Sequence, residues 1–187
     1  MRMSLAIWIA IAVVGIGLML VIGIYNNLVG LRQSVRQGVA DIDAQLRQRH
    51  DLIPNLVETV KGYAGHEAAT LEAVIAARNT AASGAPSSGS EQQLKAALGN
   101  LLALGEAYPD LKASANFQSL QHELADVEDK LAAARRAMNA AVARFNGARE
   151  SFPAVLFAGT LGFAEADFHQ LDASEQGTVD KVPKIGF

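Results

Sequence analysis

Apolar residues follow two patterns along this chain, a solid block and then a series of stripes. The block is LAIWIAIAVVGIGLMLVIGI, residues 5–24, twenty positions without a charge or a proline. As a helix rising about 1.5 Å per residue it measures roughly 30 Å, the thickness of a bilayer's hydrocarbon core. Trp8 and Tyr25 stand near its ends, where amphipathic rings prefer the interface. It is too long, and its leading segment too short, for a cleaved signal peptide, so residues 1–24 read as a short tail and an uncleaved transmembrane helix that meets the lipid bilayer through residues 5–24. Arg2 precedes the span while Arg32 and Arg36 follow it. That balance assigns neither side of the membrane to the rest of the chain.

Beyond Tyr25 the apolar period is helical. Leu28, Leu31, Val35, Val39, Ile42 and Leu46 recur at steps of three and four on one helix that continues out of the membrane. A second run carries Leu56, Val57, Val60, Ala64, Leu71, Val74, Ile75 and Arg78 and ends in SGAPSSGS, residues 83–90, an exposed loop. A third, from Glu91 through Leu94, Leu98, Leu101 and Leu104, stops at Tyr108-Pro109-Asp110, because proline disfavours helix in the residue before it. The fourth is the most regular: Phe117, Leu120, Leu124, Val127, Leu131, Ala134, Met138, Ala141 and Phe145 alternate threes and fours in a seam of coiled-coil type. Its acids lie in the first half and its bases in the second, as the helix dipole favours. The fold class is therefore all-α: an N-terminal transmembrane helix, an antiparallel four-helix bundle over residues 25–150 and an irregular apolar tail over 151–187.

Where the first rod ends is decided by RQRHDLIPNLVETVKGY, residues 47–63. Pro54 inside a helix would remove the bond to the His50 carbonyl and cost about 3 kcal/mol. In a first turn that cost vanishes, and Asp51 is a good N-cap. Asp51 and Pro54 are accordingly expected to form a structural turn between helices 25–50 and 54–82, with one continuous kinked helix as the alternative. The stretch also has the flavour of a kinase catalytic loop, but its order is Arg49-His50-Asp51 and the chain lacks the Gly-rich loop, strand lysine and D-F-G that such a loop serves.

These residues also carry a family resemblance. YNNLVGLRQSVRQGVADIDAQLRQRHDLIPNLVETVKGYAGHEAATLEAVIAARNTA from Tyr25, EAYPDLKASANFQSLQHEL and the closing VPKIGF resemble the LemA family of bacterial membrane proteins. The resemblance covers nearly the whole chain and implies a short N-terminal tail, one membrane helix and an antiparallel helical bundle at the bacterial cytoplasmic membrane. It implies no established activity and supplies no catalytic motif. Met138-Asn139 and Phe145-Asn146 stand where family members often carry Tyr-Asn pairs.

Composition narrows the chemistry. The chain has 16 Lys and Arg against 19 Asp and Glu, a net charge of −3, which is a poor start for holding nucleic acid. It has no cysteine, so it offers no disulfide, thiol nucleophile or Cys-ligated metal. The residues three before His50, His66, His122 and His169 are Arg47, Tyr63, Ser119 and Ala166, so the Glu-x-x-His pairs of di-metal bundles do not occur. His66-Glu67 and His122-Glu123 begin like H-E-x-x-H, but Thr70 and Asp126 occupy the second histidine position. Gly15-Ile16-Gly17 is half a dinucleotide fingerprint inside a membrane span, and no serine sits in a nucleophile elbow. No catalytic, cofactor-binding or metal site and no cofactor is expected. The alanine-rich, closely spaced pattern leaves little room for a polar cavity.

The tail is the remaining feature. SFPAVLFAGTLGF, residues 151–163, is uncharged and holds Phe152, Leu156, Phe157, Leu161 and Phe163. In an up-down-up-down bundle the fourth helix returns toward the membrane, so these residues are expected either in the membrane interface or against a neighbouring protomer, or else folded back over the bundle's open end. The expected function is a non-enzymatic, single-pass, membrane-anchored helical scaffold that self-associates as a homo-oligomer or recruits a membrane protein partner. The alternative is a signalling or stress-response adaptor that couples a ligand or partner to another membrane protein.

Overall fold

A computed structural model describes residues 5–83 and 88–169. Among them are five α-helices and no strand: α1 (Leu5–Ala64), α2 (Ala68–Ser83), α3 (Ser88–Ala107), α4 (Pro109–Lys112) and α5 (Ala115–Glu150), followed by a single 3-10 turn (Ala154–Leu156). The closing VPKIGF and residues 84–87 of the expected loop lie outside the described residues. The chain divides into two compact units, one of residues 1–41 and 134–169, the other built on residues 42–133.

α1 departs from expectation. It runs 60 residues, about 90 Å, through both the membrane candidate and Pro54. The structural turn expected at Asp51 and Pro54 is not there; both lie in continuous helix. Pro54 does deprive the His50 carbonyl of its helical donor, but Arg78 of α2 replaces it, Nε donating to that oxygen over 3.2 Å. With the orphan acceptor satisfied from a neighbour, the main objection to proline in a helix interior is met. The packing stripe also crosses the proline without a step: Ile42, Leu46, Arg49, Ile53, Leu56, Val60 and Ala64 are all buried. α1 ends instead at Gly65-His66-Glu67, where the Glu67 amide turns back to the Ala64 carbonyl and the Glu67 carbonyl takes the Thr70 and Leu71 amides that open α2.

In the unit of residues 42–133, one core gathers Ile53, Val57 and Val60 of α1, Leu71 and Val74 of α2, Leu94, Leu98 and Leu101 of α3, Leu111 of α4, and Phe117 and Leu124 of α5. The break at Tyr108-Pro109 falls where expected, Pro109 opening α4. Burial of Phe117, Leu124, Val127, Leu131, Met138, Ala141 and Phe145 follows the seam predicted for α5. On α1, Val39 is exposed and Gly38 takes the inner position. A Cβ on Gly38 would stand 2.8 Å from the Met138 Cβ, so the missing side chain permits close approach of α1 and α5 within the unit of residues 1–41 and 134–169.

The same unit holds the tail. Phe163 is 2% exposed and packs with Leu28, Phe145 and Ala158, with Ile24 and Leu161 alongside. Its ring meets Tyr25 edge-on at 5.6 Å between centroids, and the Arg32 guanidinium lies 4.9 Å over it. Further along, the Asn146 amide pairs with both backbone polar groups of Ala166 (2.9 and 3.0 Å) and the Asn139 amide does the same for His169 (3.1 and 2.9 Å). Seven residues of helix rise about 10.5 Å and three of extended chain cover about 10 Å, so the two spacings match. Each asparagine thus satisfies one step of a chain that has no strand neighbour.

Candidate functional site

Among the described residues, buried charge sits in the helical core around Arg49 and His50. Arg49 occupies a core position of the α1 stripe and is 2% exposed. Its guanidinium pairs with Glu91, itself buried at the first turn of α3, and Nη1 donates to Glu128 Oε1 of α5 over 2.8 Å. His50 is also buried, its Nε2 standing 3.5 Å from Glu91 Oε1. Three helices are therefore tied through one guanidinium. Arg is suited to this, since its planar fork meets two carboxylates without deprotonating. A buried pair of this kind gives little net stability over an apolar replacement, but losing one member strands the other.

Burial, reinforced by the Arg49 and Arg78 charges, holds the His50 pKa below its ordinary 6.5; Asp51 pulls weakly the other way. His50 is accordingly neutral at pH 7. On its outer side lies an open cleft of about 340 Å³, bordered by Asp43, Arg47, His50, Asp51 and Arg78. The close spacing of apolar positions argued against such a cleft. Arg78, which donates to the His50 carbonyl, and the small Ala81 and Ala82 of α2 line it as well.

A second polar cluster closes the α1–α2 turn. Tyr108 donates its hydroxyl hydrogen to Glu67 Oε1 (2.9 Å), and its oxygen lies 2.6 Å from His66 Nε2. The hydrogen bond to the Glu67 carboxylate, then burial, raises the Tyr108 pKa above 10.0. The cluster pins the end of α3 to the turn and uses His66-Glu67 for structure. Among the described residues no group of three or more His, Asp or Glu is placed to share a metal ion.

The tail residues separate into two faces. Phe163 is buried within its own unit, which corrects the expectation of an interface role for it, and Leu161 and Phe157 are half-buried. Phe152 (81% exposed), Leu156 (62%) and Val155 face outward. Residues 7–22 of α1 contribute a continuous exposed apolar surface, in a helix with an 18-residue window of mean hydropathy 2.8, long and apolar enough to cross a membrane.

Sequence reasoning missed the Arg49–Glu91 pair and the Arg78 brace. The signal was the period: Arg49 continues the stripe of Ile42 and Leu46, and Glu91 opens that of Leu94 and Leu98.

A segment of 80 residues, 42% of this chain, is 32% identical to magnetosome protein MamQ of Magnetospirillum gryphiswaldense. The match spans 29% of that relative's length. The family model describing the LemA family matches residues 38–187, which takes in the buried Arg49–Glu91 pair, the bridged Pro54 and the asparagine-held tail, and the chain belongs to that family.

Proposed function

We propose that this protein is a membrane-anchored helical scaffold that assembles with itself or with a membrane partner, and that residues 25–150 form an antiparallel four-helix bundle of α1, α2, α3 and α5. The observation that carries the reading is α1 itself. Its first part is apolar and bare on all sides, as only lipid or another apolar surface tolerates, and its last part lies in the helical core. One helix therefore joins anchor and body with no linker between them. The core drawn from four long helices supports the bundle, and the α1 positions opposite α5 decrease from 38 toward 28 as α5 advances from 138 to 145. The bacterial cytoplasmic membrane is the natural site for such an anchor.

The test is extraction followed by sizing. Full-length protein should stay with membranes in alkaline carbonate and, in mild detergent, show a size that falls on dilution. Release by carbonate, or a single-copy size at every concentration with no membrane protein co-purifying, contradicts the proposal. The cleft beside His50 favours the adaptor as a second reading. A small polar ligand that raises Tm for the intact chain and loses that effect in Arg47→Ala would support it.

A further inference from the structure

The outward tail face has a definite place along α1, and that place is the end of the apolar span. Gly38 abuts Met138, and Leu28 shares a cluster with Phe145, so advancing along α5 moves back along α1 toward the span. Five more residues bring α5 to its end at Glu150, about 7.5 Å past Phe145, level with Gly23 and Ile24. There the chain reverses: Ser151 to Leu156 form the apex, and the returning irregular segment brings Phe163 back onto Tyr25 and Leu28. Phe152, Val155 and Leu156 point outward from that apex, and no charge occurs between Glu150 and Glu165. We propose that this apex is a membrane foot, Phe152, Val155 and Leu156 inserting into the interfacial layer of the same bilayer that residues 5–24 span. The proposal rests on the anchoring reading above.

The chemistry fits lipid better than water. Three large apolar side chains exposed together at the last turn of a transmembrane span lie where headgroups give way to acyl chains. Insertion there buries apolar area at about 25 cal/mol per Å² without a protein partner of matching shape. Tyr25 takes the position of an interfacial ring, and Arg32, whose guanidinium lies over the same Phe163 ring, carries a charge that lipid phosphates attract. The inner face of the reversal is fixed by Ala154, Ala158 and Phe163, which holds the outer face in place before lipid is met. The foot gives α1 a second point of attachment beside it.

Because the chain has no native cysteine, single nitroxides can be placed without other changes. Phe152→Cys, Leu156→Cys, Leu18→Cys and Ala40→Cys variants of the full chain would be labelled in phosphatidylethanolamine–phosphatidylglycerol vesicles, and collision with oxygen compared with collision with a water-soluble nickel chelate. The expected result is an oxygen preference at 152 and 156 resembling that at Leu18 in the span, and a nickel preference at Ala40. Nickel preference at 152 and 156 would overturn the foot while leaving the anchor intact. Shielding from both reagents, with spin broadening between copies, would overturn it in favour of a second chain. A nickel preference at Leu18 would remove the anchor, and the foot with it.

Discussion

Pro54 and Arg78 show how a single hydrogen bond changes the meaning of a proline. Read alone, Pro54 costs a helix its bond to His50 and invites a break. With Arg78 Nε on the same oxygen, the helix continues. Replacing Arg78 with Met should leave that buried carbonyl without a donor and cost about 1–3 kcal/mol in urea unfolding. In a Pro54→Ala background the amide returns, so the same replacement should cost much less; an equal loss in both backgrounds would contradict the brace. His50 makes a prediction about pH. Its folded pKa lies below the unfolded 6.5, so the folded state resists a proton that the unfolded chain accepts. Stability is therefore complete above that value, declines as pH falls through it toward the folded pKa, and declines no further on this residue's account below the folded pKa. His50→Gln should flatten the pH profile of unfolding as pH falls below about 6.5. A profile unchanged by the substitution would show that other groups carry the dependence.

At the scale of elements, period was the legible quantity, and termination was legible only where local chemistry decides it. The helical period of α5, the stop at Tyr108-Pro109 and the long apolar helix are present, because each depends on local spacing or on proline's effect on its own neighbour. The α1 boundary depends on a side chain 24 positions beyond the proline, which no local rule supplies. The true end at Gly65 was foreshadowed by the two glycines of Gly62-Tyr63-Ala64-Gly65, a weaker punctuation than proline. Glycine also separates packing from mere permissiveness. Gly38→Ala should destabilise by about 1–3 kcal/mol, since the new methyl meets the Met138 Cα and Cβ. Gly30→Ala, with nothing within 4 Å, should gain up to about 1 kcal/mol from helix propensity. Thermal unfolding of the two variants distinguishes them, and a neutral Gly38→Ala would contradict the close approach.

For the whole molecule, the buried Arg49 cluster and the asparagine-held tail were the parts that sequence left hidden. Charged residues at stripe positions read as interruptions until a partner from another helix is known, and Glu91 lies 42 residues away from Arg49. The outward and inward faces of residues 151–163 were equally inseparable in sequence, because an irregular segment has no period to divide them. What unites these features is a helix that begins bare and apolar and ends as a core element. The mass of the full-length protein in native-lipid discs tests the resulting account most directly. A scaffold predicts discrete assemblies heavier than one 19.7 kDa chain, whether multiples of it or the chain with a membrane partner. A population of single chains with nothing bound, at native membrane density, would contradict it.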